Sequence, residues 1–268
     1  MAHKSLPIAL TIAGSDSGGG AGIQADLRSF AAFGVHGLSA ITAITAQNTR
    51  GVQAIEMQPQ RIVSAQINAV LGDFDVAAIK IGMLGTPALA RTISAALQPR
   101  RDIPLVLDPV LVATTGAELS RGRLVAAIKR YLLPIADLLT PNVPEAEQLL
   151  DRTIRNRDDL LAAAVALRQT GANAVLLKGG HLPGSRVHDV LVGANGVQWF
   201  THTRIDGEAH GTGCSLAAGI AASLACGANL EDAVAAAIDF VHRALARAYR
   251  PGKGDLLVLD HFAAMRGT

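Results

Sequence analysis

The chain has 268 residues, which suits one large domain or two small ones, either able to bury a substantial core. Half of the residues are hydrophobic but only 3% are aromatic, so the core is expected to be aliphatic and alanine-rich, with helices packed closely on a buried sheet. The net charge of +2 comes from 24 Lys and Arg against 22 Asp and Glu, scattered without a basic stripe or interleaved aromatics, which excludes the usual nucleic-acid binder.

The first apolar stretch, 7–13, is too short for a membrane span and runs into glycines and aspartates where a cleavage site would need small residues. A cytoplasmic protein without membrane attachment is expected. Strands are predicted over 8–13, 38–45, 77–81, 105–107, 137–139 and 174–177, and helices over 23–33, 59–71, 87–97, 124–132, 144–150 and 158–170. Strands alternating with helices of this length indicate right-handed βαβ units and a mainly parallel sheet. Segments 189–192 and 197–200 flank Ala194-Asn195-Gly196 as a hairpin on the sheet edge. Beyond it, 212–225 and 230–248 read as long alanine-rich helices. No linker or repeat interrupts this order, so a single domain over 1–268 is expected, of α/β class. Ligands of such sheets bind in the loops at the carboxyl ends of the strands.

Those loops hold the candidate chemistry. Gly14-Ser15-Asp16-Ser17-Gly18-Gly19-Gly20-Ala21-Gly22 follows the first strand; its glycines allow close backbone approach and leave N–H groups free to face a ligand, or else make only a tight turn. It is neither a Walker loop nor a dinucleotide fingerprint. Asp26 stands one turn into the next helix, where a carboxylate also suits the dipole. Gly211-Thr212-Gly213-Cys214-Ser215 opens a long helix, and its successive N–H groups can hold the charge of a transferring phosphoryl group. A thiol at a helix start is expected to have a lowered pKa, which makes Cys214 either an assisting base or a small buried cysteine in a glycine-rich cap. Cys226 reads as core, and the two cysteines form no disulfide framework or zinc site, in keeping with a reducing compartment.

Asp108, Asn142 and Glu145 fall at or just beyond strand ends, placed to hold magnesium and phosphate oxygens through water; Asn142 is equally an N-cap before Pro144. Lys178, followed by two glycines, can reach a nucleotide phosphate. Gln47 can pair with a flat heterocycle or belong to a polar loop, and Met83 can lie on a ring or in the core.

Taken in order, 14–26, 45–49, 80–84, 108–110, 140–147, 178–181 and 210–214 resemble the hydroxymethylpyrimidine/phosphomethylpyrimidine kinases of thiamine biosynthesis, within the ribokinase superfamily. The likeness runs from about residue 7 to residue 262. It implies a ribokinase-like three-layer sandwich with a central, mostly parallel sheet flanked by helices, assembled as a homodimer. It implies ATP with Mg²⁺, and a small-molecule pyrimidine substrate phosphorylated twice, first at its hydroxymethyl group and then at the resulting monophosphate. By position, Gln47 binds the pyrimidine with Ala21, Asp26, Met83 and Val110 around it. Lys178 contacts ATP phosphate, Asn142 and Glu145 support the metal–phosphate region with Asp108, and Gly211, Thr212 and Gly213 form the anion hole. Cys214 stands where related sugar kinases place an aspartate base. Two departures are visible: the run 204–209 before His210 is shorter than the commoner version, and Thr114-Thr115-Gly116 replaces a frequent Lys-Ser-Gly.

Overall fold

Nine strands form one sheet in the computed structural model, which describes residues 6–111, 122–205, 207 and 209–265. The strands are β1 (Ile8–Asp16), β2 (His36–Asn48), β3 (Gly51–Met57), β4 (Ala78–Ile81), β5 (Leu105–Leu107), β6 (Leu138–Leu139), β7 (Ala174–Leu177), β8 (Arg186–Gly193) and β9 (Gly196–Thr203), in the order β3-β2-β1-β4-β5-β6-β7-β8-β9. The six from β2 to β7 pair in parallel, and β3 and the β8–β9 hairpin close the two edges antiparallel. Two short strands, β10 (Ala209–His210) and β11 (Leu257–Val258), pair separately.

The strands read as apolar runs because both faces are covered. On β5, Leu105 and Leu107 face one cluster while Val106 faces the other, the period of two that a pleated strand dictates. The first cluster takes in α2 (Gln60–Asp73), α3 (Pro87–Leu97), α4 (Arg123–Ala127), α5 (Val143–Leu150) and α6 (Arg157–Gln169). The second is built by α1 (Gly22–Ala32), α7 (Thr212–Ala225) and α8 (Leu230–Ala246). The result is the expected three-layer α/β sandwich. Small residues set its spacing on the α7 side: Ala9, Ala78 and Ala174 face that layer, and a Cβ on Gly219 would stand 3.2 Å from Ala237 Cβ.

Several local expectations are corrected. The edge strand β3 was not expected, since a strand half-open to solvent carries a weak apolar signal. The helix predicted over 124–132 ends as α4 at Ala127 and continues as one π-helical turn over Ile128–Leu132. Cys226 is not core: it caps the carboxyl end of α7 and is exposed. A last short helix, α9 (His261–Met265), follows β11. Thr114-Thr115-Gly116 lies outside the described residues.

Candidate active site

The strand order reverses between β1 and β4, and the crevice that such a reversal opens at the carboxyl ends is where the cleft lies. Its volume is about 730 Å³, within the range of small-molecule sites. Ala21, Gln47, Met83, Asp108, Val110, Asn142, Glu145, Lys178, Gly211, Thr212, Gly213 and Cys214 all line it. Loops far apart in sequence meet there because each follows a parallel strand.

One expected site residue is not on the wall. Asp26 is fully buried beneath it, where Lys80 Nζ contacts its two carboxylate oxygens at 2.9 and 3.0 Å and the Thr11 hydroxyl donates at 2.6 Å. Lys80 instead lines the cleft. Burial disfavours its ammonium, but Asp26, by charge and hydrogen bond, together with Asp108 and Cys214, outweighs that and holds Lys80 charged, with a raised pKa. The aspartate therefore acts on the cleft through the lysine.

The glycine-rich loop also differs from expectation. Its N–H groups are not left free: those of Gly18, Gly20 and Ala21 donate to the Asp16 carboxylate at 2.8, 2.9 and 2.8 Å. Burial alone would push the Asp16 carboxyl up, but hydrogen bonds from His210 and these backbone groups leave it below the usual range. Asp16 and His210 both line the cleft; both lie in segments marked from the sequence, but neither was given a role there. A carboxylate followed at two to four residues by glycines is the available signal, since such a side chain bonds to nearby backbone N–H groups.

Against this loop α7 begins. Gly211 holds φ +81°, and a Cβ there would run into the Gly20 carbonyl, so only glycine lets the two loops touch. The N–H groups of Thr212, Gly213 and Cys214, the first three of the helix, find no acceptor among the described residues. A Cβ on Gly213 would stand 3.0 Å from Lys178 Nζ, which places that cation directly over the helix start. Lys178 donates to Asp108 at 3.1 Å, and Asp108 also accepts from Thr140. Burial lowers and the two carboxylates Asp108 and Glu145 raise the Lys178 pKa, the carboxylates prevailing. Behind it, Asp189 accepts from the Gly179 N–H at 2.8 Å, its own pKa pushed by burial up to about 6.

Asn142 fills its expected role as an N-cap and also lines the cleft. It caps α5 in a reciprocal box with Glu145, whose N–H donates to the Asn142 side chain at 2.9 Å while its carboxylate accepts from the Asn142 N–H at 2.8 Å. Burial pushes Glu145 up to about 7. No group of three or more acidic, histidine or cysteine side chains able to cage a metal exists among the described residues. The donors present suit a hard cation held chiefly by phosphate and water, with Glu145 and Asp108 nearby.

Cys214 carries the largest correction. Its expected low pKa is reversed: burial pushes the thiol up to about 11, with Lys80 and a hydrogen bond from the Gly22 N–H only partly compensating for the burial and the nearby Asp26 and Asp108. The helix start cannot offset the loss of hydration, and the thiol is protonated at neutral pH.

A family description, phosphomethylpyrimidine kinase, matches residues 16–258. The hydroxymethylpyrimidine/phosphomethylpyrimidine kinase of Rhizobium meliloti is 49% identical over 245 residues, which span 91% of this chain and 92% of that protein. The solved phosphomethylpyrimidine kinase of Clostridium difficile superposes with a TM-score of 0.80 at 40% identity, covering 90% of this chain and 100% of that one. The pyridoxal kinase of Staphylococcus aureus in complex with AMP-PCP and pyridoxal superposes with a TM-score of 0.88 at 30% identity, over 97% and 95% of the two chains. With both sequence and fold matched along nearly its whole length, the chain belongs to the phosphomethylpyrimidine kinase family.

Proposed function

We propose that this chain, as a single kinase domain, moves the γ-phosphoryl group of ATP to the hydroxymethyl oxygen of 4-amino-5-hydroxymethyl-2-methylpyrimidine, and then phosphorylates the monophosphate to the pyrophosphate, in thiamine biosynthesis. The observation that carries this reading is one cleft with an amide, Gln47, on one wall and a fixed cation over a helix start, Lys178 above Gly213, on another. The first wall suits a flat heterocycle and the second a triphosphate.

Lys178 and Asn142 hold ATP phosphate, and the open N–H groups of Thr212, Gly213 and Cys214 take the charge that spreads over the phosphoryl oxygens. Mg²⁺, when bound near Glu145 and Asp108, neutralises phosphate charge. Lys80, kept charged by Asp26, adds positive potential to the cleft. Transfer forms the bond from the substrate oxygen to γ-phosphorus, breaks the bond to the β-phosphate oxygen, and releases ADP and the hydroxyl proton. A loose transition state asks for little deprotonation, so Cys214 serves as an assisting group that orients the hydroxyl and accepts its proton through a minor thiolate form. Incubation with Mg·ATP and the alcohol should give first the monophosphate and then the pyrophosphate by chromatography. No phosphorylated product at high enzyme concentration would overturn the reading.

A second substrate, pyridoxal, is favoured by one observation: the fold likeness to a kinase solved with AMP-PCP and pyridoxal. It is another flat ring bearing a hydroxymethyl group. We also read the protein as a cytoplasmic homodimer. Two free thiols support the compartment, and the dimer is what the family resemblance implies. Among the described residues no helix is long and apolar enough to cross a membrane.

A further inference from the structure

Gln47 Nε2 lies 2.6 Å from His210 Nε2, and the same His210 nitrogen lies 3.2 Å from Asp16 Oδ2. One ring nitrogen cannot accept from an amide N–H and also donate to a carboxylate. The rest of the network decides which it does. Were the proton on Nδ1, it would be buried with no partner among the described residues, and an Nε2 lone pair would face the carboxylate. The proton therefore belongs on Nε2. The two ends of an amide have the same shape, so Gln47 must then turn its carbonyl oxygen toward His210.

The far end of the amide agrees. The Thr45 hydroxyl, which has one proton, donates to the Ser15 carbonyl at 3.0 Å and also stands 3.4 Å from the other terminal atom of Gln47. With the amide turned, that atom is the NH₂ group, and the hydroxyl accepts from it while still donating to Ser15. Each of these contacts then sets a donor against an acceptor, and only the His210 Nδ1 lone pair is left without a partner among the described residues, a lesser cost than an orphaned N–H facing nothing. The backbone of Gln47 is pinned by the same loop: its N–H donates to the Ser17 hydroxyl at 2.8 Å, and that hydroxyl donates to the Gln47 carbonyl at 2.7 Å.

We propose that Asp16 and His210 are positioning residues that lock the Gln47 amide with its NH₂ group toward the cleft, so that the site selects rings presenting an acceptor lone pair at that point. This rests on Gln47 facing the substrate ring. Asp16 thus has two tasks, ordering the glycine-rich loop through three N–H groups and fixing one tautomer of His210.

The tautomer can be read without substrate, by long-range proton–nitrogen correlation on the ¹⁵N-histidine-labelled full chain, with His210 assigned through H210N. A proton on Nε2 is the expected result; a neutral ring protonated on Nδ1 overturns the proposal whether or not the pyrimidine is turned over. The selectivity is read with two analogues of the pyrimidine alcohol, each with one ring nitrogen replaced by C–H. The wild type should lose roughly tenfold in kcat/KM with one of them, about the worth of one hydrogen bond. H210N should lose that preference, and Q47E, which still accepts from His210 but brings no NH₂ group, should raise the KM for the pyrimidine while leaving the KM for ATP unchanged. Equal discrimination in wild type and H210N, with the pyrimidine itself turned over, overturns the proposal.

Discussion

Cys214 is a half-buried thiol on the cleft wall, set beside a fixed ammonium and two carboxylates, and its environment decides its role more than its place at a helix start does. Protonated at neutral pH, it supplies less than a preformed base would. Cys214→Ala should lower kcat for the alcohol by roughly tenfold to a hundredfold, near the low end for a positioned base, and slow the monophosphate step less, because that acceptor is already anionic. The wild-type alcohol rate should climb with pH above neutrality as the thiolate fraction grows toward its pKa of about 11, and the variant should lose that slope. Equal losses in both steps, with no change in slope, would make the thiol a packing element of α7.

Among the elements, α9 is joined to α7 by a polar contact in the core: the His261 ring and the Ser215 hydroxyl, next in sequence to Cys214, lie 2.8 Å apart. Burial, with help from Arg28, pushes the His261 pKa down to about 4 from an ordinary 6.5. Between those values the unfolded chain binds more protons than the folded one, so stability is full above about pH 6.5 and falls as pH drops toward 4. The loss attributable to this ring should reach about 3 kcal/mol, and His261→Gln should remove it, as denaturant midpoints across that range would show. Identical pH profiles for the two proteins would contradict it. The sequence disclosed the elements that packing makes uniform: β5 and β7 are buried on both faces and read as unbroken apolar runs, and β4 and the first six residues of β1 are broken only by the buried Lys80 and Thr11. It hid β3, whose outer residues are exposed, and the π-helical turn after Ala127, which shares a helical pattern. The residues of the cleft wall that follow parallel strands were legible, because the topology brings every such loop to one edge. The pairings behind that wall were not. Asp26 pairs with Lys80 across 54 residues, and Asp16 reaches Gln47 only through His210, and no local pattern records such pairings.

At the scale of the whole molecule, the sheet reversal between β1 and β4 brings the Gln47 wall and the start of α7 into one cleft, with α7 packed beneath β1, β4 and β5. That arrangement is common to kinases of more than one flat-ring alcohol, as the fold likeness to a pyridoxal kinase illustrates. What distinguishes the substrates is transition-state binding at the ring, measured as a ratio of specificity constants. The most direct test is therefore kcat/KM for 4-amino-5-hydroxymethyl-2-methylpyrimidine and for pyridoxal, with saturating Mg·ATP and the same enzyme preparation. A pyrimidine preference of roughly tenfold or more is predicted; equal values, or a preference for pyridoxal, would contradict the assignment.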